Sequence, residues 1–162
     1  MAERAVSRML DDEHRETLAM LGQLERSVLD VRTGGVPDDA FAALARSVAR
    51  HLTDETERHF RFEEDELFPR LAAAGEGDIV ELLVEEHGSI RGTGADLLPL
   101  LMSAAGGTLD AAGFAKLRPL ALELVERLVA HIQKESMALL PMLDMLLDDA
   151  TDAALSMAYA TP

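Results

Sequence analysis

The sequence predicts an all-α protein, an up-down-up-down antiparallel four-helix bundle followed by a helix-prone tail. Three observations predict this fold. Alanine and leucine dominate a hydrophobic fraction of 48%, whereas aromatic residues make up only 4%, and this mixture favours helices over sheets. Apolar residues recur at intervals of three and four along four segments. Three short glycine-containing stretches separate the segments, and short connections join antiparallel neighbours in bundles.

The four predicted helices each carry one apolar stripe. The stripes run, in chain order, over residues 6–31, 41–67, 80–101 and 117–146. Glycine ends helices and Pro or Asp starts them, so loops are predicted at residues 33–38, 74–78 and 105–110. Prolines within or near the helices predict local bends, at Pro69, Pro99, Pro119 and Pro141. We therefore expect one bundle domain at 1–150 and a tail or short helix at 151–162.

Composition limits the classes of function. The net charge of −15 disfavours nucleic acid and anionic membrane as partners, and no apolar run is long enough to span a bilayer. The first residues carry charges and no signal-like apolar stretch, so we expect a cytoplasmic protein. The chain has no cysteine, which excludes disulfides, iron–sulfur clusters and thiol nucleophiles. A metal site would have to use imidazole and oxygen ligands.

Polar residues interrupt the four apolar stripes. One histidine falls on the stripe of each helix, and two of these histidines have a glutamate four residues later, on the same helix face. Taken singly, such a histidine is usually a hydrogen-bonded core residue and such a pair is usually an exposed ion pair. Together they form a candidate metal site of six ligands, namely His14, His59, Glu63, His87, His131 and Glu135.

These residues also repeat along the chain. His14 and His59 are 45 residues apart, and His87 and His131 are 44 apart, with a His-x-x-x-Glu motif in each half. Burying one polar group without a partner costs roughly 2–7 kcal/mol, so six separate burials would exceed the stability of a domain, about 5–15 kcal/mol. Two helix hairpins facing each other across a pseudo-two-fold axis would share one metal centre instead.

The pattern resembles the hemerythrin-like HHE cation-binding domain from the first helix to the fourth. The resemblance rests on His14, His59-Phe-x-x-Glu63-Glu64-x-x-Leu67-Phe68-Pro69, Glu86-His87 and His131-x-x-x-Glu135-x-x-x-Leu139-x-Pro141. It implies a hemerythrin-like bundle with a non-haem di-iron centre, in which the six residues are ligands and the glutamates bridge the irons. Two six-coordinate irons offer about twelve positions, and these side chains fill about eight, which leaves room for a small ligand.

The chain departs from oxygen-carrying hemerythrins in two places. Arg91 stands where they have a further histidine, and His131-x-x-x-Glu135 replaces their His-x-x-x-x-Asp motif. The resemblance therefore implies binding or reduction of a small oxidant, such as O₂, NO or peroxide, rather than simple oxygen transport. Whether there is turnover stays open, and so does the alternative of a non-enzymatic iron or oxygen sensor or iron donor. Zinc or manganese also suits such ligands.

Two other interpretations are weaker. A helical interaction module with unrelated core histidines does not explain the repeat. A ferritin-like di-iron bundle needs Glu-x-x-His, which the chain lacks. Of the neighbouring polar residues, Glu55 is predicted to accept a hydrogen bond from a ligand imidazole, and His51 is predicted to be a flank residue. Three further glutamates are predicted to point outward, namely Glu13, Glu64 and Glu86.

Overall fold

The computed structural model describes residues 3–32 and 34–161, and these form five helices. The helices are α1 (Ala5–Asp30), α2 (39–73), α3 (Gly77–Ala105), α4 (111–146) and α5 (Asp149–Ala160). In the described ranges no residue forms a strand, so the predicted all-α class is confirmed. Thr33 of the first predicted loop and both chain ends, residues 1–2 and 162, lie outside the described residues.

Helix ends follow the predicted glycine and aspartate signals. Gly75 and Gly107 adopt positive φ angles of 98° and 72°, which glycine reaches without steric cost. At Gly75 the next amide, that of Glu76, donates to the Leu71 carbonyl at 3.0 Å and so closes a Schellman motif. Side chains of Asp38, Asp110 and Asp148 accept from amides three residues later and begin α2, α4 and α5.

Helices α1 to α4 contact one another in the cyclic order α1–α2–α3–α4–α1, which closes a four-helix bundle. Helix α5 packs against α1 near the N-terminus. Within residues 3–32 and 34–161, no helix is both long and apolar enough to cross a membrane.

The apolar interior is divided into two clusters. The large apolar cluster lies toward the 31–38 and 106–110 loops and includes Leu21, Leu24, Phe41, Leu101 and Leu124. The terminal apolar cluster lies near the chain ends and includes Val6, Leu10, Leu71, Leu143 and Leu155. Along each of the four bundle helices the predicted ligands fall between the residues of the two clusters. The fold therefore places a polar layer across the middle of an apolar core.

Candidate metal centre

The polar layer contains all six side chains that the sequence selects. Helix α1 contributes His14, α2 contributes His59 and Glu63, α3 contributes His87, and α4 contributes His131 and Glu135. Each of the six is at most 7% exposed, and both glutamates are completely buried. The i,i+4 spacing predicted to place histidine and glutamate on one face does so in both α2 and α4.

The six side chains form two groups that share both glutamates. In one group the ligand atoms of His14, His59, Glu63 and Glu135 lie within 4.8 Å of one another. In the other group the ligand atoms of Glu63, Glu135, His87 and His131 also lie within 4.8 Å of one another. Each group offers two imidazoles and two carboxylates, so a carboxylate placed between the groups can contact an ion on either side.

The two carboxylates reach both groups through separate oxygen atoms. Oε1 of Glu63 lies 3.3 Å from His59 Nε2, and its Oε2 lies 3.3 Å from His87 Nε2. Oε2 of Glu135 lies 3.0 Å from His14 Nε2, and its Oε1 lies 2.9 Å from His131 Nε2. The Nε2 atoms of all four histidines thus face the carboxylates, as ligands of a shared centre must.

The layer passes a test of whether a metal ion fits it. Within the described chain, both oxygens of Glu63, both oxygens of Glu135 and Nε2 of His14 are buried without a hydrogen-bond partner of acceptable geometry. Buried carboxylates that lack partners are strongly unfavourable unless they are paired or bind metal. Imidazole nitrogen and carboxylate oxygen are donors that iron, zinc and manganese accept. The donor set therefore suits cations of these metals.

Local π-helical turns begin at the two buried glutamates. Glu63–Leu67 in α2 and Glu135–Leu139 in α4 are π-helical. In each helix a proline, Pro69 or Pro141, is the second residue of the α-helical stretch that follows. A wider turn accommodates a proline, which has no N–H and clashes with the preceding turn. The helical irregularity near these two prolines is therefore a π-helical turn that begins at a buried glutamate.

Carboxylates on the outer side of the layer hold three of the histidines. His59 Nδ1 donates to Glu13 Oε2 at 2.6 Å and His87 Nδ1 donates to Glu64 Oε1 at 2.7 Å. His131 Nδ1 donates to Glu86 Oε2 at 2.8 Å. The prediction that Glu13, Glu64 and Glu86 point outward was wrong, because each turns toward a histidine of a neighbouring helix. These bonds fix the ring orientation and point each Nε2 into the layer, where those of His87 and His131 lie 3.0 Å apart.

His14 is the exception among the four histidines. Its Nδ1 faces the hydroxyl of Ser136 at 3.5 Å, the outer limit of a hydrogen bond. Ser136 follows Glu135 in α4 as Glu64 follows Glu63 in α2. The pseudo-symmetric layer therefore has one position where a carboxylate is replaced by a hydroxyl.

The pKa values of histidines in the layer are raised and that of Glu135 is lowered, which favours ion pairs between them. Burial acts to lower the pKa of His59, but the Glu63 carboxylate and the hydrogen bond with Glu13 raise it well above its ordinary value. Against the same effect of burial, the nearby carboxylates of Glu135 and Glu63 raise the pKa of His87 to about 9. Burial acts to raise the pKa of Glu135, but the histidines that surround it, His131 first, hold it well below its usual range. Metal binding at these imidazoles would therefore release protons.

One face of the layer opens into a small cavity. The cavity has a volume of about 50 Å³. His14 and His59 line it from the layer, and Thr17, His51 and Glu55 line it from outside the layer. His51 Nε2 lies 2.9 Å from the Thr17 hydroxyl, and its Nδ1 lies 2.8 Å from Glu55 Oε2. The prediction that Glu55 accepts from a ligand imidazole was wrong, since its partner is His51. His51 itself, predicted as a flank residue, borders this cavity.

The opposite face of the layer is covered by aromatic rings. The Phe60 ring stacks on His87 with centroids 3.7 Å apart and an interplanar angle of 9°, and Phe68 stacks on the same imidazole at 5.5 Å. Phe60 also meets His131 edge-on at 5.5 Å. His87 is thus enclosed by aromatic packing and does not border the cavity, whereas His14, His59 and His131 line it.

Arg91, one turn after His87 in α3, contacts the layer through Glu64. Its guanidinium donates to both oxygens of Glu64, at 2.7 and 3.2 Å, and to Glu57 at 2.9 Å. Hydrogen bonds from Arg91 oppose the effect of burial and lower the pKa of Glu64. The residue therefore acts on the layer indirectly, by holding the carboxylate that orients His87.

Helix α5 reaches the layer through one side chain. The Tyr159 hydroxyl donates to the Glu13 carboxylate at 2.8 Å, and Glu13 in turn accepts from His59. The Arg58 guanidinium lies 4.2 Å from the centroid of the Tyr159 ring and donates to its backbone carbonyl at 2.7 Å. The sequence predicted a short C-terminal helix but no role for it, because nothing local links Tyr159 to Glu13.

Fold and site together define an all-α bundle with a buried, metal-capable layer of histidine and carboxylate ligands. The model of the hemerythrin HHE cation-binding domain family matches residues 5–143, and the chain belongs to that family. Among curated proteins no relative matches the chain. The family match confirms the resemblance seen in the sequence and ends before α5 begins.

Proposed function

We propose that the polar layer holds two metal ions, iron in the first instance, bridged by Glu63 and Glu135. The observation that carries this proposal is the pair of four-residue groups that share both carboxylates. His14 and His59 would complete the site of one ion, and His87 and His131 that of the other. The positive charge of the metal ions would balance the two carboxylates in place of the protons on the neighbouring histidines.

We further propose that the centre binds or reduces a small oxidant such as O₂, NO or peroxide. Iron, when bound, supplies Lewis-acid and redox chemistry to such a ligand. The cavity of about 50 Å³ beside His14 and His59 supports a small ligand, since one water molecule needs roughly 10–15 Å³ on this scale. Thr17 and His51 would donate to or accept from the ligand, and the Phe60 ring forms an apolar part of the cavity wall.

A non-enzymatic iron or oxygen sensor, or an iron donor, is the second candidate. It is favoured by the chain of contacts from His59 through Glu13 to Tyr159, which links the layer to α5 at the surface. If His59 moved when an ion bound or left, the contacts through Glu13 and Tyr159 would move α5 as well. In such a protein, metal binding would change the stability of the fold or a surface that binds a partner, and no substrate would be turned over.

The first experiment measures metal content and the visible spectrum of freshly purified protein from iron-supplemented cells. We expect close to two irons per chain and near-ultraviolet bands of a di-iron centre. A protein that holds zinc or no metal, even after anaerobic ferrous reconstitution, would contradict the di-iron proposal. Turnover of peroxide or NO then separates the two candidates, because a sensor or donor would bind without sustained turnover and would unfold or rearrange on metal loss.

A second experiment tests whether the cavity admits the ligand. Thr17→Leu fills the cavity without touching a proposed metal ligand, so NO binding to the reduced protein should weaken at least about tenfold, about 1.4 kcal/mol. The metal content should not change. Thr53→Leu introduces the same side chain at an exposed position of α2 outside the cavity and serves as the matched control. Equal NO affinity in the two variants would show that the ligand enters elsewhere.

A further inference from the structure

The two halves of the polar layer are built on the same repeat but are not equivalent. Glu64 follows the buried Glu63 of the first half, and Ser136 follows the buried Glu135 of the second. One turn after His87 stands Arg91, and one turn after His14 stands Leu18. A carboxylate and the guanidinium that holds it are therefore present for His87, and the equivalent positions for His14 carry a hydroxyl and an apolar side chain.

On the side of His87 and His131, both histidines are held firmly. Nδ1 of His87 donates to Glu64 at 2.7 Å, and the Arg91 guanidinium donates hydrogen bonds to both oxygens of that carboxylate. Nδ1 of His131 donates to Glu86 at 2.8 Å, and the Lys134 ammonium pairs with the same carboxylate. Aromatic rings stack on or against both imidazoles. Neither ring can turn without breaking a charged hydrogen bond and an aromatic contact.

On the side of His14 and His59, only one histidine is held in this way. His59 donates to Glu13 at 2.6 Å, and the neutral Tyr159 hydroxyl holds that carboxylate. His14 has only the Ser136 hydroxyl at 3.5 Å. Both of these histidines line the cavity, whereas on the other side only His131 does and His87 is fully buried away from it.

We propose that the two metal sites are unequal, with the His87–His131 site binding its ion tightly and the His14–His59 site holding a weaker, exchangeable ion. The proposal rests on the two-ion site described above. A hydrogen-bonded carboxylate behind a ligating histidine fixes the ring and raises its basicity, and loss of such a partner typically lowers metal affinity about 10–100-fold. The ion nearest the cavity would then be the one that meets ligands and can be delivered or replaced.

One electrostatic effect acts in the opposite direction. Glu16 and Glu55 lie beside the cavity and attract cations to the His14–His59 site, whereas Arg91 and Lys134 repel them from the other site. Glu16 and Glu55 are exposed, however, and water and salt screen them. Arg91 and Lys134 are already neutralised by contact with Glu64 and Glu86. The direct hydrogen bonds to the ligand rings therefore decide the order of affinity.

The test is a titration of metal-free protein with Zn²⁺, followed by the side-chain nitrogen resonances of ¹⁵N-labelled histidine. The first equivalent should shift the Nε2 signals of His87 and His131, and the second those of His14 and His59. Competition with a chelator should give dissociation constants that differ by about 10–100-fold. If all four histidines shift together, or His14 and His59 shift first, the inference is overturned.

Variants test the structural cause of the difference. Ser136→Glu with Leu18→Arg rebuilds the missing carboxylate and cation without changing net charge, and it should bring the weaker dissociation constant close to the tighter one. Glu64→Ser makes the opposite change and should weaken the tight site by about tenfold or more. Ser136→Ala should have little effect, because the hydroxyl is at the limit of hydrogen-bond distance. A weakening by Ser136→Ala as large as that by Glu64→Ser would contradict the proposed cause.

Failure of this inference can be distinguished from failure of the proposed function. Two equal Zn²⁺ ions per chain would overturn the inequality and leave the two-ion site intact. Binding of a single ion, or of none, would overturn both. If the rebuilt double variant does not fold, the Glu64→Ser titration and the order of shifts in the unaltered protein still decide the question.

Discussion

The polar layer and the large apolar cluster are equally buried but are held together by opposite means. Leu21, Leu24 and Leu124 are fully buried and belong to one cluster of packed apolar side chains. Glu63 and Glu135 in the layer are also fully buried, yet their oxygens have no well-formed hydrogen bonds within the described chain. Burial stabilises the first set of residues and destabilises the second unless a cation is present.

This difference separates the origin of the fold from the origin of the function. The two apolar clusters lie on either side of the layer, and they can hold the four helices in place whether or not a metal is bound. The layer adds stability to the extent that metal ions or protonated histidines balance the charge of its carboxylates. Stability with and without metal should therefore respond differently to substitutions in the two regions.

The largest effect is expected from loss of metal binding by the layer. An ion that binds only the folded state at a free concentration 1,000 times its dissociation constant adds about 4 kcal/mol to the free energy of unfolding. Because Glu135 belongs to both groups, Glu135→Gln should remove most of this increment for both ions. Urea unfolding with and without metal measures it.

The matched control for this variant is Glu123→Gln, which removes a half-exposed carboxylate paired with Arg127 at the surface of α4. It should leave the metal-dependent increment unchanged. A Glu135→Gln protein that is still stabilised by metal as strongly as the unaltered protein would mean that ions bind outside the layer.

The next largest effect is expected in the large apolar cluster. Leu124→Ala leaves a cavity in a fully buried site and should lower the free energy of unfolding by about 2–5 kcal/mol. In contrast to Glu135→Gln, the loss should be the same in metal-free and metal-loaded protein. Met137→Ala is the control: the side chain is 82% exposed, so the free energy of unfolding should hardly change. A loss seen only with metal present would show that the cluster and the layer are coupled.

The two regions also differ in how much of them the sequence predicts. Apolar periodicity and glycine signals predict the bundle helices, because these depend on residues close together in the chain. The six residues of the layer are predicted because the repeat of His14 and His59 by His87 and His131 has no other simple explanation. The partners of their Nδ1 atoms are not predicted, because each lies on a neighbouring helix.

Two wrong predictions have specific physical causes. Glu13 and Glu86 were assigned to the surface from the geometry of their own helices, although each precedes a ligand histidine in a repeated Glu-His pair that marks it as part of the site. Glu55 was placed behind His59 by assuming a regular α-helix. The π-helical turn at His51–Thr56 changes the register there, and Glu55 pairs with His51 instead.

The smallest effect is expected where the layer meets α5. Tyr159→Phe removes the hydroxyl that donates to Glu13 at 2.8 Å and should lower the free energy of unfolding by about 1.5 kcal/mol, as for a hydrogen bond to a charged acceptor. The ring keeps its stacking on Phe62 at 4.3 Å, so packing should be preserved. Urea unfolding of the metal-free protein measures this loss.

A double-mutant cycle with Glu13→Gln shows whether the hydroxyl acts through the carboxylate. Residues in one hydrogen-bond network usually couple by about 0.5–3 kcal/mol, whereas unconnected sites add. We expect coupling in the metal-free protein, together with weaker Zn²⁺ binding to the His14–His59 site in Tyr159→Phe, because Glu13 would hold His59 less firmly. Additive free energies with unchanged Zn²⁺ affinity would mean that α5 packs on the bundle without reaching the chemistry of the layer.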